Sequence, residues 1–299
     1  MPELPDITLY VERLTALAGG KRLESVALSS PFFLRSVEPP VRALEGRTLE
    51  GVERLGKRVV LDFGDELFAV IHLMISGRMR WRTNGKDAGG KNALCTFRFE
   101  SGRLWLTEAS SHKRASLHLV RGRDGLVEHG RGGLEPLGAS EDEFNTALRR
   151  ENRTLKRALT DPRIFSGIGN AYSDEILFDA KLSPMKLTRA LEDHEVTALY
   201  RSTQQQLREW IERFRAEVGE GFPEKVTAFR PEMRVHGKYK EPCVVCGAKI
   251  QRIRYAANEC NYCAKCQNAG KLLADRSLSR LLKKDWPKTL EELESLKDK

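Results

Sequence analysis

No stretch of this chain runs apolar for the ~18 positions that a membrane-spanning helix needs, so no transmembrane segment is expected. Its start lacks a basic segment followed by an apolar core, so no secretory signal is expected either. No internal repeat is present, which sets repeat architectures aside. Cysteine is almost missing outside one region: five of the six lie between Cys243 and Cys266. In a chain without a secretory signal, that clustering points to metal ligation rather than a disulfide framework. What the chain has in excess is positive charge. Lysine and arginine number 51 against 42 acidic residues, giving a net charge of +9 and a pI near 9.3. Such a protein is a candidate for binding nucleic acid or an anionic membrane surface. At 299 residues it is long enough for about two domains with real cores.

The hydrophobic pattern divides the chain. Ile7, Tyr10, Val11, Leu14 and Leu17 follow helical spacing until Gly19-Gly20, which places Glu3 just before a helix N-terminus. Residues 21–120 read as short strands. Val59–Phe63 and Phe68–Leu73 flank Gly64-Asp65-Glu66, and Cys95–Phe99 and Arg103–Leu106 flank Ser101-Gly102; both are expected hairpins in a β-sandwich or barrel. Residues 121–139, rich in glycine and charge, read as an interdomain linker. Ser140 and Glu143 fit a capping box opening a helix with Phe144, Ala147 and Leu148 on its apolar face. Further helices are expected over about 154–159, 171–180 and 191–216. Residues 219–237 look irregular and mobile, and a charged helical tail starts at Leu272.

Three features carry chemistry. The first is Pro2. Methionine before a small residue is normally trimmed, which leaves a secondary amine with Glu3 beside it as a proton shuttle. An α-amine titrates near ~7.7–8.0, so a useful fraction is neutral and nucleophilic at physiological pH. The competing reading is that this proline only follows processing preferences. The second is a pair of knuckles, Cys243-Val-Val-Cys246 and Cys263-Ala-Lys-Cys266, with sixteen residues between them. Two such pairs make a closed tetrahedral S₄ site that suits one structural zinc ion. Cys260 is the odd thiol, and Cys95 reads as a core residue. Lys249, Arg252 and Arg254 make the intervening hairpin a basic finger, for phosphates or simply for solvent. The third is Gly167-Ile168-Gly169-Asn170 with Lys156, Arg157 and Arg163 nearby, a turn that either cradles a phosphate or is only a turn. In the first case Asn170 caps the next helix and donates to a phosphate oxygen.

These pieces occur in one order with Gly56-Lys57-Arg58, His72-Leu73-Met74-Ile75-Ser76-Gly77, Asn152-Arg153-Thr154-Leu155-Lys156, Asp161-Pro162-Arg163 and Ala171-Tyr172-Ser173-Asp174-Glu175-Ile176-Leu177. Over residues 2–267 the chain resembles the formamidopyrimidine-DNA glycosylase / endonuclease VIII (Fpg/Nei) family. Pro2-Glu3-Leu4-Pro5 looks more like its oxidised-purine branch. The resemblance implies an α+β multidomain protein: an N-terminal β-sandwich with an N-terminal helix (1–125), a linker (126–138), a helix–two-turn–helix domain (139–238), a zinc ribbon (239–268) and an extension (269–299). DNA would lie in the cleft between. By resemblance Pro2 is the nucleophile, Glu3 the general acid/base and Lys57 a phosphate contact near the damaged nucleotide. Asn170 holds a phosphate, while Lys156 and Glu175 lie near the recognition site. The implied partner is double-stranded DNA with damaged bases or abasic sites, met by a monomer in a bacterial-type cytoplasm and nucleoid, with no membrane.

The sequence also departs from that family. Asp6 stands where glutamate is usual, and Ile75 stands where a methionine wedge is usual, with Met74 adjacent. The Asp-Pro-Arg-Arg-Phe-Gly loop is replaced by His112-Lys113-Arg114-Ala115-Ser116, which offers Lys113 or Arg114 as the basic probe but no phenylalanine. Asn258 replaces an arginine five residues before the third metal ligand, with Arg252 or Arg254 as compensation. Two functions follow. One is a bifunctional glycosylase and abasic-site lyase for oxidised purines. The other is a damaged- or abasic-DNA binder with weak or no excision, or a family member with altered lesion preference toward oxidised pyrimidines. A zinc-ribbon RNA-binding protein does not explain the N-terminus. In the tail, Leu278, Leu281 and Leu282 are expected either to pack on the body or to be solvated.

Overall fold

The computed structural model describes residues 1–255, 258–274 and 287–295. These fall into two compact units. The first comprises Met1–Gly132 with Glu209–Thr227, and the second Gly133–Arg208 with Ala228–Lys299.

The first unit opens on helix α1 (Leu4–Ala18), started by a reciprocal capping box in which Asp6 accepts from the Glu3 amide at 2.8 Å. Its apolar stripe faces the core through Ile7, Tyr10 and Leu14. Eight strands follow: β1 (Leu23–Leu28), β2 (Gly51–Leu55), β3 (Arg58–Asp62), β4 (Leu67–His72), β5 (Gly77–Arg82), β6 (Ala93–Phe99), β7 (Gly102–Glu108) and β8 (Ser116–Arg121). They form two four-stranded antiparallel sheets, ordered β1-β6-β7-β5 and β2-β3-β4-β8. Alternation explains the packing. Val59, Leu61, Ala69, Ile71, Leu117 and Leu119 from one sheet meet Met79, Cys95, Phe97, Leu104 and Leu106 from the other in a single buried cluster. Both expected hairpins form. The β3–β4 turn is tight enough to put Gly64, Asp65 and Glu66 all at positive φ.

The stretch expected as a linker is more structured than its composition suggests. It contains a seven-residue helix, α2 (Arg123–His129), whose Leu126 packs on the outward-facing Val60, Phe68, Val70 and Val120. The loop expected to be mobile has no regular structure, yet side chains hold both of its ends. In the first unit Phe222 sits 5.6 Å from the Tyr10 ring, Val226 joins the sandwich core, Glu224 pairs with Arg82, and Arg13 donates to the Gly221 carbonyl at 2.7 Å. In the second unit Met233 and Val235 are buried.

The second unit carries α3 (Glu141–Arg149), α4 (Leu155–Thr160), α5 (Asn170–Asp179) and the long α6 (Asp193–Val218), whose last turns belong to the first unit. The Ser140–Glu143 capping box closes as expected, with Glu143 accepting the Ser140 amide at 2.8 Å. Helix α5 is buried from Ala171 to Phe178, including Ser173, Asp174 and Glu175. The cysteine module is a two-stranded ribbon of β9 (Gln251–Tyr255) and β10 (Asn258–Tyr262), followed by α7 (Ala264–Asn268) and α8 (Leu290–Ser295). The tail contributes Leu272, Leu273 and Leu290 to a cluster with Ile253, Cys260, Tyr262 and Ala264. The residues expected to do this, Leu278, Leu281 and Leu282, lie outside the described ones.

Gly77 closes the turn between β4 and β5 with its amide on the Leu73 carbonyl at 2.9 Å. A Cβ there would stand 2.3 Å from that same oxygen. Gly77→Ala should therefore push the turn open and cost about 1–3 kcal/mol, the usual range for forced backbone shifts. Urea unfolding measures it, and a cost below ~0.5 kcal/mol would show that the turn has slack.

Candidate functional site

In the first unit the expected catalytic residues come together at the start of α1. Pro2 and Glu3 are buried, Glu3 as the residue that caps the helix. The terminal amine in the structure belongs to Met1, which is half-exposed. Its pKa is held below the ordinary value, first because it is desolvated, then because Arg78 and Lys57 repel a proton there; Glu3 and Asp6 oppose them. Lys57 reaches this region from the two-residue turn between β2 and β3, where Gly56 supplies the positive φ (62°) the connection needs. Arg78 braces the neighbouring turn, donating to the carbonyls of Ile75 (3.1 Å) and Gly77 (2.7 Å). That turn puts Met74 in the left-handed region (φ 52°) and leaves it half-buried, while Ile75 is 56% exposed. Of the two candidate wedges, Ile75 is the one presented.

The loop replacing the family's probe is set by Glu108, a buried carboxylate that accepts the amides of Arg114 (2.9 Å) and Ala115 (3.1 Å). Lys113 folds back, its ammonium on the Glu108 carbonyl at 2.7 Å, whereas Arg114 is exposed. Arg114 is thus the outward cation of this loop.

In the second unit the glycine turn leads directly into α5, but its neighbours differ from expectation. Lys156 is only 3% exposed, and its ammonium donates to the Asn170 carbonyl (2.7 Å), the Ser173 hydroxyl (2.8 Å) and the Asp174 carboxylate (2.6 Å). An ammonium has three donors, so the expectation that Lys156 meets DNA directly is corrected: it is a positioning residue inside the fold. Asn170 does not cap α5 with its side chain; Gly169 is the cap, and the Asn170 amide donates to the Glu259 carbonyl of the ribbon at 2.7 Å. Of the remaining cations, Arg163 is paired with Asp161 at 2.7 Å, whereas Arg157 is exposed.

Asp174 is the centre of this arrangement. Besides Lys156 it binds the His236 ring (2.8 Å) and the Asn261 amide of β10 (3.1 Å). Burial works to raise its pKa, yet Lys156 and His236 outweigh that and hold the carboxylate below its ordinary value. Glu175, next in sequence, accepts three successive amides, from Arg234, Val235 and His236, each at 2.9 Å. The sequence reading missed Glu108, Asp174, His236 and Asn261. For Asp174 the signal was faint, two adjacent carboxylates in α5; Glu108 at the end of β7, His236 in a loop and Asn261 on β10 belong to no local pattern.

The four expected metal ligands converge. The sulfurs of Cys243, Cys246, Cys263 and Cys266 all lie within 4.8 Å of one another, with Cys246–Cys263 at 3.4 Å and Cys243–Cys266 at 3.9 Å. A tetrahedron with metal–sulfur bonds of about 2.3 Å has edges near ~3.8 Å, so the residues fit a single ion. Amides of Val245 and Cys266 point at the sulfurs of Cys243 and Cys263. Cys260 is buried among Ile253, Tyr262 and Ala264 and stays apart from the four. Arg252 lies over the Tyr239 ring at 4.2 Å and pairs with Glu259 at 3.3 Å, while Arg254 is exposed. The backbone of Asn258 pairs with Tyr255 at the end of the hairpin.

Comparison with known proteins agrees with this geometry. Residues 1–119 match the profile of the formamidopyrimidine-DNA glycosylase N-terminal domain, and residues 133–219 that of the formamidopyrimidine-DNA glycosylase H2TH domain. The formamidopyrimidine-DNA glycosylase of Bacillus subtilis is 30% identical over 279 residues, covering 89% of this chain and 99% of that protein. An uncharacterized formamidopyrimidine-DNA glycosylase-like protein of Mycobacterium tuberculosis is 37% identical over 151 residues, 50% of this chain and 94% of its own. Among solved structures, MutM in complex with carbocyclic 8-oxo-G containing DNA superposes with a TM-score of 0.79 at 27% identity, covering 89% of this chain and 100% of that one. Lactococcus lactis Fpg with abasic-site DNA gives 0.77 at 26%, covering 89% and 99%.

Removing Lys156 tests its internal role. Lys156→Met leaves Asp174 as a buried charge short of its main partner and should cost about 3–5 kcal/mol. Arg157→Met, one residue on and exposed, should stay within ~0.5 kcal/mol. Thermal and urea unfolding of the pair decide; equal, small losses would return Lys156 to the surface.

Proposed function

The chain belongs to the formamidopyrimidine-DNA glycosylase family, and from that premise we propose that it is a bifunctional DNA glycosylase and abasic-site lyase that removes oxidised purines, 8-oxoguanine and formamidopyrimidines, from double-stranded DNA. The observation that carries this reading is the setting of the chain's leading amine. Pro2 and Glu3 are buried at the head of α1, and the Met1 amine that precedes them feels Glu3, Arg78 and Lys57 and is held below its ordinary pKa, first by burial. Trimming of Met1 would bare the nitrogen of Pro2, which is buried next to the helix-capping Glu3.

The target nucleotide must leave the stack before its sugar carbon is reachable. The Pro2 nitrogen then bonds to C1′ and the damaged base departs. A secondary amine yields a positively charged iminium, which draws electrons and acidifies the adjacent C2′ proton. Loss of that proton expels the 3′ phosphate, and a second elimination releases the 5′ one. Glu3, fixed by its place at the helix cap, carries protons during ring opening and elimination. Lys57 neutralises the phosphate beside the reacting sugar. Water hydrolyses the final adduct and regenerates the amine. In the gap left by the everted base, Ile75 supplies the wedge, and Arg114 faces the orphaned partner. In the second unit Asn170 and the exposed Arg157 meet the backbone. The four thiolates would hold one zinc ion, which would close the ribbon as a structural group.

A second reading, a damaged-DNA binder with weak excision, rests on one observation. Lys113 folds onto Glu108, and Arg252 already serves Tyr239 and Glu259, so neither is unengaged where the family's usual basic groups are missing.

Borohydride reduction with an abasic duplex separates the two. The proposal expects a covalent adduct, an intact mass lacking one methionine, and loss of both adduct and strand cleavage once the N-terminus is acetylated. Cleavage surviving acetylation would remove Pro2 from the mechanism, and tight binding without adduct would favour the binder. Stripping the metal with a chelator should release one zinc per chain, unravel the knuckles and weaken DNA binding together. Full DNA affinity in a metal-free protein would contradict the structural role.

A further inference from the structure

A patch of positive charge on the first unit is left unused by the mechanism above. It lies on the outward face of the β2-β3-β4-β8 sheet, where α2 ends. Arg58 pairs across the strands with His72, and His118 pairs with Val70 one row further along. The His118 ring is 4.7 Å from that of His129, the last residue of α2. Arg131 follows two residues later, close enough for its charge to act on Arg58 and His72. Among the described residues no carboxylate pairs with Arg58 or Arg131, although Arg58 is half-buried. Glu128 is an acid that acts on His129, while Arg35 adds a further positive charge near His118. The carbonyl end of α2 offsets only about half a charge at most, against two guanidiniums.

A half-buried guanidinium beside a second, exposed one, with no acid paired to either, is costly in the free protein, and an arriving anion relieves that cost. The electrostatics point the same way. All three imidazoles are held below their ordinary pKa, first by burial and then by neighbouring positive charge, His72 down to about 4. They are neutral at pH 7, so they add donors without adding charge until an anion arrives.

We propose that Arg58, His118, His129 and Arg131 form a phosphate subsite, adjoining Lys57, that takes a second backbone phosphate of the bound nucleic acid. The proposal rests on the nucleic-acid reading above for its ligand and adds a contact that reading lacks. A phosphate seated there raises the imidazole pKa values, so binding takes up protons and tightens as the pH falls from about 7.5 to 6.

The test follows imidazole resonances in the full-length, metal-loaded chain. His118 and His129 should titrate below about 6.5 in the free protein and move upward on adding an undamaged duplex. Inorganic phosphate alone should move them less. Arg131→Ala should weaken duplex binding about fivefold and reduce the slope of log affinity against log salt by about one. A double His118→Gln, His129→Gln variant should lose the pH dependence. Resonances indifferent to the duplex, or responding to inorganic phosphate only, overturn the subsite; so does an unchanged salt slope. Borohydride trapping on abasic DNA is scored in parallel. An adduct with silent imidazoles defeats the subsite and leaves the catalytic proposal standing, whereas responsive imidazoles without an adduct do the reverse.

Discussion

The second unit depends on one buried ion pair, Lys156 with Asp174. Taking both charges out of water costs several kcal/mol per ion and is tolerated only when every donor and acceptor finds a partner. Here each partner does structural work. Lys156 holds the first residues of α5, and Asp174 holds His236 and the ribbon strand β10. The glycine turn, the helix behind it and the metal ribbon are thereby tied to a single point. The adjacent Glu175 fixes the segment leading into the ribbon through three amides. Two neighbouring carboxylates on a buried helix thus order three pieces of chain that are far apart in sequence.

The first unit solves a different problem, that of holding a chain terminus still. Its leading residues have no strand to pair with, so α1 anchors them: its cap fixes Glu3, and Ile7, Tyr10 and Leu14 bury its underside in the sandwich core. Phe222 and Val226 cover the same helix from the returning chain. The positive charges of Lys57 and Arg78 come from two turns whose shapes require Gly56 and Gly77. Backbone geometry there serves electrostatics directly.

Local patterns in the sequence foretold what local forces decide. The stripe of α1, both hairpins, the Ser140 capping box and the cysteine knuckles are all set by residues within a few positions of one another. The fate of Lys156 was not legible, because a lysine on an amphipathic helix looks the same whether it meets solvent or a carboxylate eighteen residues away. Asp174 and Glu108 were hidden for the same reason. The expected cap at Asn170 gave way because the helix already begins there, with Gly169 in the cap position, and the Asn170 side-chain amide donates to the ribbon instead. The linker's glycines concealed α2, whose only apolar anchor is Leu126. Leu272, Leu273 and Leu290 were equally obscure, since their partners lie on the hairpin.

The six thiols are not equivalent. Cys95 and Cys260 are buried, and burial pushes both well above the ordinary thiol range, so neither offers a thiolate to an alkylating reagent while the protein is folded. Of the four convergent sulfurs, Cys243 and Cys263 are buried as well, and only Cys246 and Cys266 are partly exposed. Labelling of the native protein is therefore a direct gauge of ribbon occupancy, and an oxidant that spares the core would still register at the ribbon first.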